Sequence, residues 1–175
     1  MGQTRRQADN VGRSTRRQML PSLTLGLAGL AAASQTRAQA PDSSANRALT
    51  ALHQDADFQV SVGRLYAVLL DPKAFAAFSG APAEIDPRAG GAFSLFGGLI
   101  VGRNIELVPS RRIVQAWRPT LWDAGLYSIV RFEFQPRGSG ARIALDHSSF
   151  PPGEFDTLTT GWPEHYWNPL KKYLA

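Results

Sequence analysis

Residues 127–150 read YSIVRFEFQPRGSGARIALDHSSF. Two alternating runs flank the turn residues Pro136-Arg137-Gly138-Ser139-Gly140, and successive side chains on a strand point to opposite faces. Val130, Phe132 and Phe134 therefore share one face, with Arg131, Glu133 and Gln135 on the other. After the turn, Ile143, Leu145 and His147 go inward, while Arg142, Asp146 and Ser148 go outward. The pattern predicts an antiparallel hairpin with one face in a core and one in water. Because strand neighbours face opposite ways, Asp146 next to His147 is not a dyad by adjacency.

Working upstream, turn signals recur at 87–91, 97–98, 109–110 and 123–125. They separate strand candidates near 83–86, 92–96, 99–108 and 111–118, so that the segment from Ala83 to Phe150 reads as an antiparallel meander of six strands with the hairpin. On the long strand Val101, Arg103, Ile105 and Leu107 are predicted to share an inner face. Trp117 is inward by alternation, although Val114 and Ala116 leave that strand's inner face open. Before the meander, Leu52 to Val62 has the loose alternation of a first strand, which would pair with the meander from across two helices. The first helix lies near 65–70. The second opens at Asp71-Pro72, an N-cap followed by a first-turn proline, and ends at Gly80. Phe75 and Phe78 share a face of it.

Downstream, the period changes. Phe155, Leu158, Trp162, Tyr166, Leu170 and Tyr173 recur at threes and fours, a helical stripe. Gly161, Pro163 and Pro169 are expected to bend or break that helix. Its aromatics need a large surface to be buried on, and the sheet supplies one. The predicted class is α+β: a curved antiparallel sheet of about seven strands around one long C-terminal helix.

The first 40 residues are of another kind. Arg16-Arg17 stands directly before a mild apolar run, Leu20 to Ala33. That run falls short of the ~20 predominantly apolar residues of a membrane span. A charged region, a modest apolar region and a small-x-small site, Ala38-Gln39-Ala40, define a signal peptide. The paired arginines resemble the twin-arginine export motif. The expected organisation is a signal over 1–40 cleaved after Ala40, a linker over 41–49, and one domain over 50–175. Export through the twin-arginine machinery to the periplasm or beyond follows, with no stable membrane insertion after cleavage.

Charge supports the division. The chain of 175 residues carries a formal charge of +5. Six of its 19 basic residues and one of its 14 acidic residues fall in 1–40, which leaves the remainder balanced. A neutral domain has no footprint for phosphate backbones, so nucleic acid is not an expected partner. There is no cysteine, hence no disulfide framework and no thiol nucleophile. His53, His147 and His165 are widely separated, and Glu164-His165 has no second ligand at helical spacing, so neither a metal nor a cofactor is expected. The glycine pairs are turns rather than phosphate loops, and no serine-hydrolase elbow occurs.

Several landmarks in order carry a resemblance: Gly90-Gly91-Ala92-Phe93, then Gly102, Glu106, Pro109, Arg111-Arg112-Ile113-Val114 and Trp117, then Gly161-Trp162. Over about residues 50–174 the chain resembles the SRPBCC or START-like superfamily. Within it, the chain is most similar to the group named for the C-terminal domain of the activator of heat-shock-protein-90 ATPase. The resemblance implies a helix-grip fold with a cavity between long helix and sheet. It implies no single activity, because superfamily members bind lipids, sterols and polyketides and some catalyse cyclisation. A leader that exports the chain would keep it from a cytosolic ATPase.

The candidate site residues follow. Trp117, Trp122, Tyr127, Trp162 and Tyr166, with Phe78, Phe93 and Phe132, either line a cavity for an apolar or aromatic ligand or simply fill the core. His147, on an inward face, is either a general base or ligand hydrogen-bonder, or a histidine bonded within the core. Arg103 either anchors a ligand carboxylate or reaches the rim. The expected role is non-catalytic binding of a small apolar molecule. The alternatives are a cyclase or isomerase using His147 with Arg103, and a protein-interaction module of the heat-shock activator kind.

Overall fold

The computed structural model describes residues 49–175. The expected signal, with Arg16, Arg17, Ala38 and Ala40, and the linker as far as residue 48 lie outside the described residues.

The chain runs β1 (Ala51–Phe58), α1 (Val62–Leu70), α2 (Pro72–Ser79), β2 (Glu84–Ile85), β3 (Ala92–Leu95), β4 (Ile100–Val108), β5 (Arg112–Pro119), β6 (Ser128–Arg137) and β7 (Gly140–Ser148). A C-terminal helix follows, here α3, built from Phe155–Gly161, Trp162–Trp167 and Asn168–Leu174 in unbroken succession. The seven strands form one antiparallel sheet in the order β1-β7-β6-β5-β4-β3-β2. The first strand joins the meander from across the two helices, as expected, and the structure places it beside the last strand, β7.

Local chemistry sets the helix ends. Ser61 Oγ accepts from the Arg64 N–H at 3.3 Å. Asp71 Oδ1 accepts from the N–H groups of Lys73 and Ala74, at 2.8 and 3.1 Å, and so caps α2. Gly80, at φ 74°, closes it with an N–H to Ala76 carbonyl bond. Phe75 and Phe78 are both buried, ring centroids 4.6 Å apart.

One face assignment on the long strand is corrected. Gly102 pairs with Trp117 and Asn104 with Gln115, but the register then slips, so that Glu106 faces Val114 and Leu107 faces Ile113. Ile105 is the extra residue of this β-bulge, which switches the face that follows it. Before the bulge Gly102 and Asn104 face inward with Trp117 and Gln115, so Arg103 between them is exposed and donates to the Gly90 carbonyl at 3.1 Å. Ile105 is half exposed, and Leu107 alone of the four packs on the core. The inner residues of β4 are Gly102 and Asn104. A side chain at Gly102 would meet the Ala116 carbonyl and the Phe93 ring, its Cβ at 2.0 and 2.3 Å from them. Only glycine lets β4 lie this close to β5.

The second correction concerns α3, which the prolines do not break. Pro163 has no N–H to give the Thr159 carbonyl, and Gln54 Nε2 of β1 donates there instead, at 2.9 Å. Trp162–Trp167 widens into a π-helical turn in which the Asn168 N–H reaches the Pro163 carbonyl. The wider turn shifts the stripe by one residue. Trp167 becomes buried beside Tyr166, and Leu174 replaces Tyr173, which is left 40% exposed.

Candidate functional site

The concave face of the sheet and the inner face of α3 enclose rings that touch one another. Trp162 lies 5.1 Å from Trp117, 5.0 Å from Tyr166, 5.2 Å from Trp167 and 5.7 Å from Phe132, centroid to centroid. Phe93 stands 6.2 Å from Trp117, and Phe78 is 5.5 Å from Tyr166. Seven of the ten predicted lining residues, Phe78, Phe93, Trp117, Phe132, His147, Trp162 and Tyr166, are thus brought together, packed on each other. Of the other three, Arg103 and Tyr127 are set apart and Trp122 packs against the edge of the core. Arg103 is outside, Trp122 is half-buried at the sheet end, and Tyr127 is 44% exposed with the Arg118 guanidinium 6.0 Å from its ring centroid.

Each of the three buried indoles has an N–H to satisfy, and each finds an acceptor on a different strand. Trp117 Nε1 donates to Gln115 Oε1 at 2.8 Å. Gln115 Nε2 donates to Asn104 Oδ1 at 2.8 Å, and Asn104 Nδ2 to the Asp86 carbonyl at 2.7 Å. Trp167 Nε1 donates to Gln54 Oε1 at 2.9 Å. Trp162 Nε1 donates to His147 Nδ1 at 3.2 Å.

This last bond decides the state of His147. An indole N–H only donates, so Nδ1 is the acceptor and the ring proton sits on Nε2. Nε2 then donates to Ser128 Oγ at 2.8 Å, and the hydroxyl donates on to the Trp117 carbonyl, 3.3 Å away. A proton on Nδ1 would set two donors against each other. Burial lowers the His147 pKa to about 3. Both nitrogens are spoken for, and Arg103 lies on the opposite face of the sheet, so the structure does not assemble the expected His147–Arg103 pair. Asp146 points outward, as alternation predicts, held by Arg131 at 2.6 Å and by His53 Nδ1 at 2.7 Å.

With the interior filled, open space lies at one end of the grip. A groove of about 340 Å³ runs between α3 and the turn from β3 to β4. Its walls are Phe96, Leu99, Ile100, Leu158, Trp162 and Tyr166, and Ser79, Thr157, Glu164 and His165 supply polar atoms. Phe96 holds a left-handed backbone, φ 53°, followed by Gly97 and Gly98 at 68° and 94°. This turn carries the Phe96 ring to 5.1 Å from Phe75 and 6.4 Å from Tyr166, closing the groove from the core behind. Burial pushes the Tyr166 phenol well up, so it stays protonated at the groove floor. A broader hollow of about 660 Å³ over Pro72, Lys73 and Ala76 has no aromatic side chain on it. Among the described residues no three of His, Asp and Glu are grouped to hold a metal ion.

Sequence reasoning missed Gln54, Asn104, Gln115, Ser128, Trp167, Phe96 and Leu99. Gln115 carried a usable signal, since Ile113, Gln115 and Trp117 alternate. The Trp167 and Phe96 positions had none, because each depends on a backbone irregularity.

Residues 59–175 match the family described as Activator of Hsp90 ATPase homolog 1-like protein. An uncharacterised protein of Schizosaccharomyces pombe is 36% identical over 114 residues, covering 65% of this chain and 34% of that one. Human activator of 90 kDa heat shock protein ATPase homolog 1 is 27% identical over 115 residues, 66% of this chain and 34% of its own. The chain thus matches about a third of the length of these curated relatives. The crystal structure of an HSP90 activator from Plasmodium falciparum superposes with a TM-score of 0.68 at 25% identity, covering 72% of this chain and 96% of that one. The fold is the helix grip of these neighbours, and the chain belongs to the Activator of Hsp90 ATPase homolog 1-like family.

Proposed function

We propose that the domain holds a small, largely apolar molecule in the groove at the open end of the grip, and that it does so outside the cytoplasm. The observation that carries this reading is the groove itself, about 340 Å³ of apolar-walled space in front of a closed core. Ligand sites are concave, apolar and furnished with a few polar groups, at volumes of ~300–1,000 Å³. Two backbone irregularities meet there. The π-helical turn contributes Trp162, Glu164 and Tyr166, and the left-handed Phe96 forms the facing wall. Such features recur at functional sites, where neighbouring structure offsets their cost.

The test is native mass spectrometry of the full-length gene product purified from its own host, beside Leu99→Arg. Leu99 is 50% exposed at the groove edge, so the variant folds with a charge across the opening. Wild type is expected to carry an adduct lost on denaturation, and the variant about tenfold less of it. Equal adducts in both would sink the reading.

Export is part of the same proposal. Arg16→Lys with Arg17→Lys is expected to leave the chain cytoplasmic at its full mass, whereas normal processing of that variant would remove the twin-arginine claim. A second reading, contact with a heat-shock-protein-90 ATPase as in the relatives' names, is favoured by the apolar loop between β5 and β6. Leu121 there is 88% exposed, and Leu126 and Tyr127 are exposed beside it. That reading needs ATPase and domain in one compartment, so the export experiment decides between the two. Among the described residues no helix is long and apolar enough to cross a membrane.

A further inference from the structure

We infer that the groove selects an organic cation, a molecule with an apolar or aromatic body and an amine or alkylated ammonium head. The inference rests on the groove being the ligand site and goes on to name the ligand's charge. Three features of the lining have the same sign. Phe96, Trp162 and Tyr166 line it with aromatic side chains, and an aromatic ring attracts a cation wherever its face is open. Glu164 is the one acid that lines the groove, and no lysine or arginine lines it. An anionic head would therefore meet a carboxylate and aromatic side chains, with His165 the one basic side chain on the lining and no guanidinium or ammonium to receive it.

Glu164 also differs from five carboxylates of β1, β4, β6 and β7, although Glu84 of β2 has no arginine partner either among the described residues. Asp55, Asp57, Glu106, Glu133 and Asp146 are each held by an arginine on the outer face. Glu164 has no such partner among the described residues. It stands exposed on the π-helical turn, two residues from Trp162 and two from Tyr166. A neighbouring arginine would neutralise it; left open, it adds to the field of the rings. An ammonium head on an apolar body satisfies both, the body on Leu99, Ile100 and Leu158 and the head toward Glu164.

The test uses three probes with one body, 4-phenylbutylamine, 4-phenylbutanol and 4-phenylbutyrate, titrated by calorimetry into the full chain, its Leu99→Arg variant and its Glu164→Gln variant. The amine is expected to bind about fivefold tighter than the alcohol, and the carboxylate more weakly than either. Leu99→Arg should weaken the amine and the alcohol, and Glu164→Gln should bring the ratio of amine to alcohol toward one. If the alcohol binds in a Leu99-dependent way and the amine is no tighter, the cation inference falls and the groove stands. An amine preference undiminished by Glu164→Gln also overturns it. If no probe responds to Leu99→Arg, the groove reading falls and takes the inference with it.

Discussion

Trp162→Ala is expected to cost about 3–5 kcal/mol of folding stability, read as a fall in urea midpoint for the full chain. Trp162 is 5% exposed and stands at the centre of the rings, within 6 Å of Trp117, Phe132, His147, Tyr166 and Trp167. Truncation leaves a void that a sheet and a proline-stiffened helix cannot close. It also strips His147 Nδ1 of its donor, leaving a buried acceptor unpaired. Domains of this size have ~5–15 kcal/mol in all, so the variant loses a large share of its margin. Trp162→Phe keeps most of the ring contact and loses the N–H, so its cost is expected to fall to about 1–3 kcal/mol. A Trp162→Ala cost below about 1 kcal/mol would mean that the rings do not form the packed centre described.

Acidification from pH 7 to 5 is expected to remove about 2 kcal/mol of stability through His147 alone. In the folded protein its pKa is lowered to about 3 from the ordinary 6.5. Between those values the unfolded chain binds a proton that the folded chain refuses. Stability is therefore lost as pH falls through 6.5, at a slope approaching about 1.4 kcal/mol per pH unit. The sheet's carboxylates do not mask this. Asp57, Glu106 and Asp146 are held below their ordinary values, chiefly by hydrogen bonds from Arg142, Arg112 and Arg131, despite the desolvation that opposes this at Asp146. Their stabilisation is lost as pH falls from about 5 downward, through their ordinary values of 4.5 and 3.8. His53 acts in the opposite sense. Its hydrogen bond to Asp146 raises its pKa, so its contribution is present below 6.5 and lost as pH rises, and exposure screens it. Gln at position 147 can accept from Trp162 and donate to Ser128 without titrating. His147→Gln should thus flatten the stability profile between pH 7 and 5. A wild-type profile already flat there would contradict a buried neutral imidazole.

Most of the architecture was legible because it rests on local signals. Alternation in β6 and β7 identifies their inner faces, and Asp71, Pro72 and Gly80 mark the ends of α2. The order of turns gives a meander, and the structure adds the first strand beside β7. Alternation also fails at identifiable places. One inserted residue, Ile105, switches the face of the long strand, so Leu107 packs on the core while, before the bulge, Arg103 faces outward and Asn104 inward. One extra residue in the wide turn of α3 exchanges Tyr173 for Leu174 and buries Trp167. A periodic reading carries its phase forward, and a bulge or a π-helical turn resets that phase with no residue type to announce it.

The candidate site divides in the same way. Aromatic richness and the inward His147 could be read from one dimension. Whether those rings surround space or occupy it could not, because that depends on side chains from α2, β3, β5, β6, β7 and α3 meeting within a few ångströms. Sequence by itself determined the meander, the ends of α2, the neutral charge of the domain after residue 40 and the inward faces of β6 and β7. Tertiary structure alone decided that these rings pack on one another, that the indoles of Trp162 and Trp167 find acceptors on β7 and β1, and that the open volume lies at the mouth of the grip. Periodicity specifies direction, while volume and hydrogen-bond partnership are properties of groups that only folding brings together.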